Sequence, residues 1–294
     1  MVNCFMHIPV LLNEVVENLN LSDSKKVLDC TLGGGGHTLE ILRQYPEIAI
    51  LGIEWDPMLA RDFKEKHGDK ITIVNDSYVN LKNICREHNF QPDAILFDLG
   101  LSSWHYEESG RGFSFRKDEM LDMRFNPERG GLTAAQIINT YDSRELERIL
   151  REYGEEDFAR NISLAVVNAR KEKPVISVSE LVGIVETAVP EWYKHKKIHF
   201  ATKTFQSLRI AVNGELENVK KGANDAIEVL KSGGRIAAIS FHGLEDKILK
   251  ELFRAKAKEN IIRLINKNVV KPQWQEIMAN PRSRSAKLRV AEKI

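Results

Sequence analysis

The stretch LDCTLGGGGHT, residues 28–38, decides how the chain is read. It overlaps Lys25–Cys30, an apolar run with the character of a buried strand. It leads into Thr38–Tyr45, where Leu39, Ile41, Leu42 and Tyr45 recur at helical spacing. Glycines at such a junction let the backbone approach a ligand closely and present N–H groups at a helix start. A flexible turn would need no more than this. The position favours a binding loop, because strand–helix sheets take their ligands at the carboxyl ends of their strands.

Outward from the loop the alternation continues. Ile48–Asp56 reads as a second strand, with Pro57 in the first turn of the next helix. Ile71–Asn75 and Asp93–Gly100 read as strands three and four, with a helix over Val79–His88 between them. This predicts βαβ units and a parallel sheet covered by helices. From about His105 to Ala211 no buried strand is visible. Asp142 with Glu145 and Ser177 with Glu180 have capping-box spacing, and Gly110, Gly112, Gly130 and Gly131 mark irregular loops. Strands resume at Arg235–Phe241, Ile261–Ile265 and Ala286–Glu292, and the last is free to enter antiparallel. The expected architecture is one α/β domain, residues 1–108 and 213–294, with a helical insertion over 109–212.

The chain has 294 residues, with 43 Lys and Arg against 42 Asp and Glu and a formal net charge of +1. This excludes nucleic-acid binding through overall positive charge but leaves room for local patches. Cys4, Cys30 and Cys85 form no CxxC, which argues against a disulfide framework or a zinc ribbon, and no metal is expected. The N-terminal apolar stretch has no Lys or Arg before it and is interrupted by Glu14 and Glu17, a poor signal peptide. No apolar run approaches the roughly 20 residues of a membrane span. A soluble cytoplasmic protein is expected.

A dinucleotide loop requires G-x-G-x-x-G/A. Gly33 and Gly35 fit it, but Thr38 occupies the last position. Asp29, Glu54, Asp56, Asp76 and Asp98 sit at successive strand ends and predict an acidic rim. Such a rim repels a pyrophosphate and suits a sulfonium, an ammonium and ribose hydroxyls, the groups of S-adenosyl-L-methionine. Glu54 has the sequence separation, about 20 residues, of a ribose acceptor on strand two. On the residues alone, an NAD-dependent oxidoreductase and a non-catalytic RNA-binding assembly factor stay open. Cys30 reads as a small buried hydrophobe rather than a nucleophile. His199 and His242 read as solvated or packing residues.

Two segments carry basic residues without acids. Trp192–Ala211 holds Lys194, Lys196, Lys197, Lys203 and Arg209 among Trp192, Tyr193, Phe200 and Phe205. Pro281–Arg289 holds Arg282, Arg284, Lys287 and Arg289. Cations on phosphates and aromatic rings on splayed bases make both candidates for RNA contact, beside the plainer readings of solvated face and core.

The motifs HIPVLLNE (His7–Glu14), LDCTLGGGGHT, FDLGLSS (Phe97–Ser103), RGFSF (Arg111–Phe115), LDMR (Leu121–Arg124), TKTFQSLRIAVN (Thr202–Asn213), LKSGGRIAAISFHGLED (Leu230–Asp246) and NPRSRSAKLRVAE (Asn280–Glu292) together span almost the whole chain. In these the sequence resembles the bacterial small-subunit ribosomal RNA methyltransferase H family, also called MraW. The resemblance implies a class I S-adenosylmethionine-dependent methyltransferase (Rossmann-like) sheet with an inserted helical domain. It implies N4-methylation of a cytidine in the decoding centre of 16S rRNA, in the small ribosomal subunit. It assigns cofactor contacts to Gly34, Gly35, Gly36, His37, Glu54, Tyr78, Asp98 and His105. Three of these depart from the family pattern: Glu54 stands where Asp is usual, Tyr78 where Phe is, and His105 where Gln is. Many amino-methyltransferases place an Asp/Asn-Pro-Pro-aromatic segment after strand four, and this chain has Asp98-Leu99-Gly100-Leu101-Ser102. Asp98 is the candidate catalytic residue, as an acceptor for the amine.

Overall fold

In the computed structural model, which describes residues 9–294, each apolar run singled out above forms a strand. Cys4 and His7 lie outside the described residues. In chain order the elements are α1 (Leu12–Leu19), β1 (Lys26–Asp29), α2 (Gly36–Gln44), β2 (Ala49–Glu54), α3 (Pro57–His67), β3 (Thr72–Asn75), α4 (Leu81–Glu87) and β4 (Ala94–Asp98). They continue with α5 (Ser103–Glu107), α6 (Ala134–Thr140), α7 (Ser143–Gly154), α8 (Ala159–Glu172), α9 (Val178–Ala188), α10 (Glu191–Lys194), α11 (Thr202–Asn213) and α12 (Glu215–Val229). β5 (Arg235–Ser240), α13 (Gly243–Lys258), β6 (Ile262–Leu264), α14 (Trp274–Ala279) and β7 (Lys287–Lys293) complete the chain.

The sheet has the order β3-β2-β1-β4-β5-β7-β6. β1 to β5 are mutually parallel, and β7 runs antiparallel between β5 and β6. This is the expected Rossmann-like class, with the antiparallel entry of the last strand. The parallel strands read as continuous apolar runs because both faces are covered. Leu28, Ile53, Ile95 and Phe97 pack with α4, α12 and α13 on one face. Val27, Ile50 and Leu96 pack with α1, α2 and α3 on the other. The chain reverses its direction of strand addition at β1 and β4, the switch point at which such sheets open a crevice.

By density of internal contact the chain divides into two compact units. One comprises the residues up to Gly100 together with Leu216–Ile294, and the other is Leu101–Glu215. The divisions fall at 100/101 and 215/216, against 108/109 and 212/213 expected from sequence. Among the described residues no helix is long and apolar enough to cross a membrane.

The second unit is helical, around a core that includes Leu146, Ile149, Ile162, Leu181 and Leu208. Both anticipated capping boxes form, at Asp142/Glu145 and Ser177/Glu180, and a third forms at Thr133/Gln136. The irregular loop is tied down by Asn213. Its Oδ1 accepts the Phe125 N–H at 2.8 Å, and its Nδ2 donates to the Met123 and Arg209 carbonyls at 2.8 and 2.9 Å. Met123 has φ 60°, a left-handed backbone that disfavours a side chain. One buried amide therefore holds a strained turn. Asn213→Ala leaves the Phe125 N–H and the Met123 carbonyl without this partner, at about 1–3 kcal/mol for each buried group. We expect a cooperative loss of this size in urea melts of the full chain. An unchanged midpoint would show that the loop does not depend on Asn213.

Candidate functional site

The register of the parallel strands places three carboxylates on one face at one edge. Asp29, the last residue of β1, pairs with Gly52 of β2 and with Leu96 of β4. Glu54 and Asp98 each lie two residues further along their strands, so their side chains project on the same face as Asp29. The side chains of Asp29 and Glu54 are buried, and that of Asp98 is 18% exposed, so Asp98 is the member an incoming group can reach.

Each acid also organises backbone. Asp29 accepts the Thr31 N–H at 3.1 Å and the Thr38 hydroxyl at 2.7 Å, which pins both ends of the glycine loop. Glu54 accepts the Gly33 N–H and the Asp56 N–H, each at 2.7 Å. The Asp98 N–H donates to the Thr31 hydroxyl at 2.6 Å. Burial raises the proton affinity of Asp29, partly offset by its hydrogen bonds, and Asp98 adds to the rise. Burial pushes Glu54 up to about 7, aided by Asp56 and Asp29 and opposed by its two N–H donors. Both rises come mainly from burial, so a cationic or hydrogen-bond-donating ligand at this edge would favour the ionised forms.

Within the loop, Gly35 has φ +73°, and a Cβ there would lie 1.9 Å from the Phe63 ring of α3. A Cβ on Gly36 would lie 2.3 Å from Pro9. A Cβ on Gly34 would meet nothing within 4 Å, so this residue is the open side of the loop. The loop is thus packed from behind and bare in front. His37 is buried. Its Nε2–H donates to the Val10 carbonyl at 3.0 Å, and burial holds its pKa below the ordinary value. The ring is neutral near pH 7, and the 3.6 Å approach of Nδ1 to Asp98 is not an ion pair.

Tyr78 follows β3 and sets its ring edge-on to Phe97, with centroids 5.4 Å apart. His105 belongs to the second unit, buried among the Trp104, Phe113 and Phe125 rings. Two acids of the anticipated rim have local duties instead. Asp56 caps α3 by accepting the Met58 N–H at 2.9 Å, and Asp76 accepts from the Ser77 N–H and the Asn80 amide. His242 caps α13 in a capping box with Glu245, and His199 stacks on Phe115 and Phe200. Cys30 is buried and its thiol is pushed well up by burial, as suits a core residue.

The basic residues divide. Arg209 is held bidentate by Glu215, with both contacts at 2.8 Å. Lys194 lies 3.0 Å from Glu191, and Lys203 lies 3.6 Å from Asp157. Lys196 sits over the Trp192 and Tyr193 rings, 3.9 Å from Asp157. Tyr193 and Phe205 are core, whereas Trp192 and Lys197 are exposed. In the other segment Lys287 and Arg289 pair with Asp246, and Arg282 and Arg284 are exposed.

Residues 4–294 match the model of the MraW methylase family. The chain belongs to that family. A curated relative in Dictyoglomus thermophilum, named ribosomal RNA small subunit methyltransferase H, is 44% identical over 294 residues, covering 98% of this chain and 97% of its own. One of the same name in Dehalococcoides mccartyi is 43% identical over 310 residues, covering 99% and 87%. Among solved structures, a putative rRNA methylase from Clostridium thermocellum shares 12% identity at a TM-score of 0.46, covering 98% of this chain and all of its own.

In this MraW-family chain, sequence reasoning missed the parts of the candidate site that only folding brings together. Thr31 and Thr38 anchor the loop, and Pro9 and Phe63 back it. Gly222 of α12 is a further case: a Cβ there would lie 2.5 Å from Cδ2 and 2.9 Å from Cε2 of Tyr78. Glycine inside a helix ordinarily costs about 0.5–1 kcal/mol against alanine. Gly222→Ala should nevertheless lower the melting temperature, and trimming the ring in Gly222→Ala/Tyr78→Ala should recover part of the loss. A raised melting temperature in the single variant would show that the ring yields without cost.

Proposed function

We propose that the protein transfers the methyl group of S-adenosyl-L-methionine to the exocyclic N4 of a cytidine in the decoding centre of 16S rRNA, acting on the small ribosomal subunit in the cytoplasm. The observation that carries this reading is the convergence of Asp29, Glu54 and Asp98 beside a glycine loop that is open at Gly34. The donor set suits a cationic ligand with hydroxyls to donate, and it opposes a pyrophosphate. Membership of a methylase family supports the same choice. The nicotinamide alternative has neither support.

When bound, the cofactor supplies an electrophilic methyl carbon for in-line displacement by the amine nitrogen. Glu54 is the acceptor for ribose hydroxyls, Gly34 to Gly36 give the close backbone approach, and Tyr78 offers an aromatic face. The neutral ring of His37, fixed by the Val10 carbonyl, holds the start of α2. The cytosine amine is a poor nucleophile because its lone pair is delocalised into the ring. Asp98, the most accessible of the three acids, accepts a hydrogen bond from the amine and draws that lone pair out of conjugation. Orientation of this kind supplies several kcal/mol, up to about 7–11 in favourable models. Lys197, Arg282 and Arg284 are exposed cations and the candidates for contact with RNA phosphates. The helical unit is the candidate carrier of substrate recognition.

Transfer of labelled methyl to small ribosomal subunits, followed by nucleoside analysis, should yield N4-methylcytidine; label on a base carbon or on protein would refute the assignment. Asp98→Ala should abolish transfer while the melting curve persists, and wild-type turnover would remove Asp98 from the mechanism. Glu54 gives a pH dependence. Its folded value of about 7 lies above the ordinary 4.5, so the free protein loses stability as pH rises between these values. Hydroxyl donors favour the ionised form. Affinity for S-adenosylhomocysteine should therefore rise about tenfold per pH unit below about 7 and level off above it. A flat profile from pH 5 to 8 (a span of about three units) would place the ribose elsewhere.

A further inference from the structure

Outside the edge of acids, the outer face of α14 carries the most exposed tryptophan among the described residues. Trp274 and Met278, one helical turn apart, are 69% and 62% exposed. Burying a tryptophan removes 150–250 Å² of surface from water, on the order of several kcal/mol, so leaving one this open forgoes stability. Along the sequence the charge is one-sided, although Glu14 of α1 lies near enough to Glu276 to raise its pKa. Residues 266–291 contain Lys267, Lys271, Arg282, Arg284, Lys287 and Arg289 and a single acid, Glu276. That acid is turned inward, where it accepts the Leu11 N–H at 2.8 Å. Lys287 and Arg289 are neutralised by Asp246. Lys267, Lys271 and Arg284 are exposed, and so is Arg282, which is itself engaged within the protein. The two arginines ride on a short 3-10 turn, Pro281–Ser285, anchored by the buried Ser283, whose hydroxyl donates to the Asn280 carbonyl at 2.8 Å.

We propose that this face is a stacking platform for an unpaired base of the RNA substrate, with Trp274 and Met278 taking the base and the flanking cations taking the phosphates on either side. The proposal rests on the reading of the substrate as rRNA. An aromatic ring interleaved with phosphate-binding cations is the pattern by which proteins hold single-stranded nucleic acid without reading its sequence. A second copy of this chain is a poor occupant, since facing copies would bring these cations together.

The test is equilibrium binding to deproteinised 16S rRNA over a range of KCl concentrations. Trp274→Ala should weaken binding about 5- to 150-fold, the range for loss of one stacked base, with the salt slope unchanged. Trp274→Phe should retain most of the affinity. Arg284→Gln should reduce the salt slope by about 0.7, the value for one lost phosphate contact on a single strand. Wild-type affinity in Trp274→Ala, an equal loss in Trp274→Phe, or a full-strength slope in Arg284→Gln would overturn the platform. So would sedimentation showing a dimer of the wild type that Trp274→Ala dissociates. Trp274 is exposed, so the variants should melt as the wild type does. Binding does not require turnover: loss of methyl transfer with RNA affinity intact would count against the catalytic reading and leave the platform standing.

Discussion

Burying carboxylates together is costly, and the first unit does so at the centre of its sheet. Asp29 ends β1 with its oxygens engaged by the Thr31 N–H and the Thr38 hydroxyl. From that anchor the rest of the edge follows. The glycine loop is drawn tight between the two threonines, Thr31 also receives the Asp98 N–H, and Glu54 secures Gly33 from the neighbouring strand. Hydrogen bonds from N–H and O–H groups offset part of the cost of burying the acids, and a cation at this edge would favour their ionised forms further. A site for a positively charged small molecule has to be held open against its own repulsion, and this loop is held by donors that cannot leave.

The second unit solves a different problem. Its helices form an ordinary apolar core, but the segment before α6 has only a 3-10 turn at Pro127–Arg129 and a bridge from Met120 to Ser177 to satisfy its backbone. Asn213 and Arg111 do so with side chains: Arg111 donates to the Arg124 and Phe125 carbonyls while lying over the Trp104 and Phe113 rings. Loops of this kind cost entropy and are retained where a surface needs a fixed irregular shape.

How far the sequence could be read follows from how local each cause is. Strands buried on both faces announce themselves as apolar runs, and capping boxes sit within four residues, so the sheet, its parallel core and most of the helices were legible. The inventory of acids was legible too, but their division of labour was not. Asp56 precedes Pro57 and is a cap by a local signal that could have been weighed more heavily. Asp76 and Glu54 differ only in what folds against them. Charge counted along the chain misleads in the same way. Arg209 stands in a segment without acids, yet it is held by Glu215, just beyond the turn at Gly214. α1 and α14 were missed because each owes its place to packing and to contacts such as that of Glu276 with Leu11, at opposite ends of the chain.

The antiparallel strand carries one more consequence, for the order in which the protein is made. Among the described residues β6 has a single neighbour in the sheet, β7, and β7 follows every other strand of that sheet in the chain. Until it emerges, one side of β5 is an open edge, and β6, with Ile262 and Leu264, has nothing to pair with. Nascent chains can assemble β1 to β5 only after the helical insertion has been produced, and they close the sheet by threading the final segment between two waiting strands. Contacts of such long sequence separation form slowly. The interval before closure is when this chain is most exposed to aggregation through an unpaired edge.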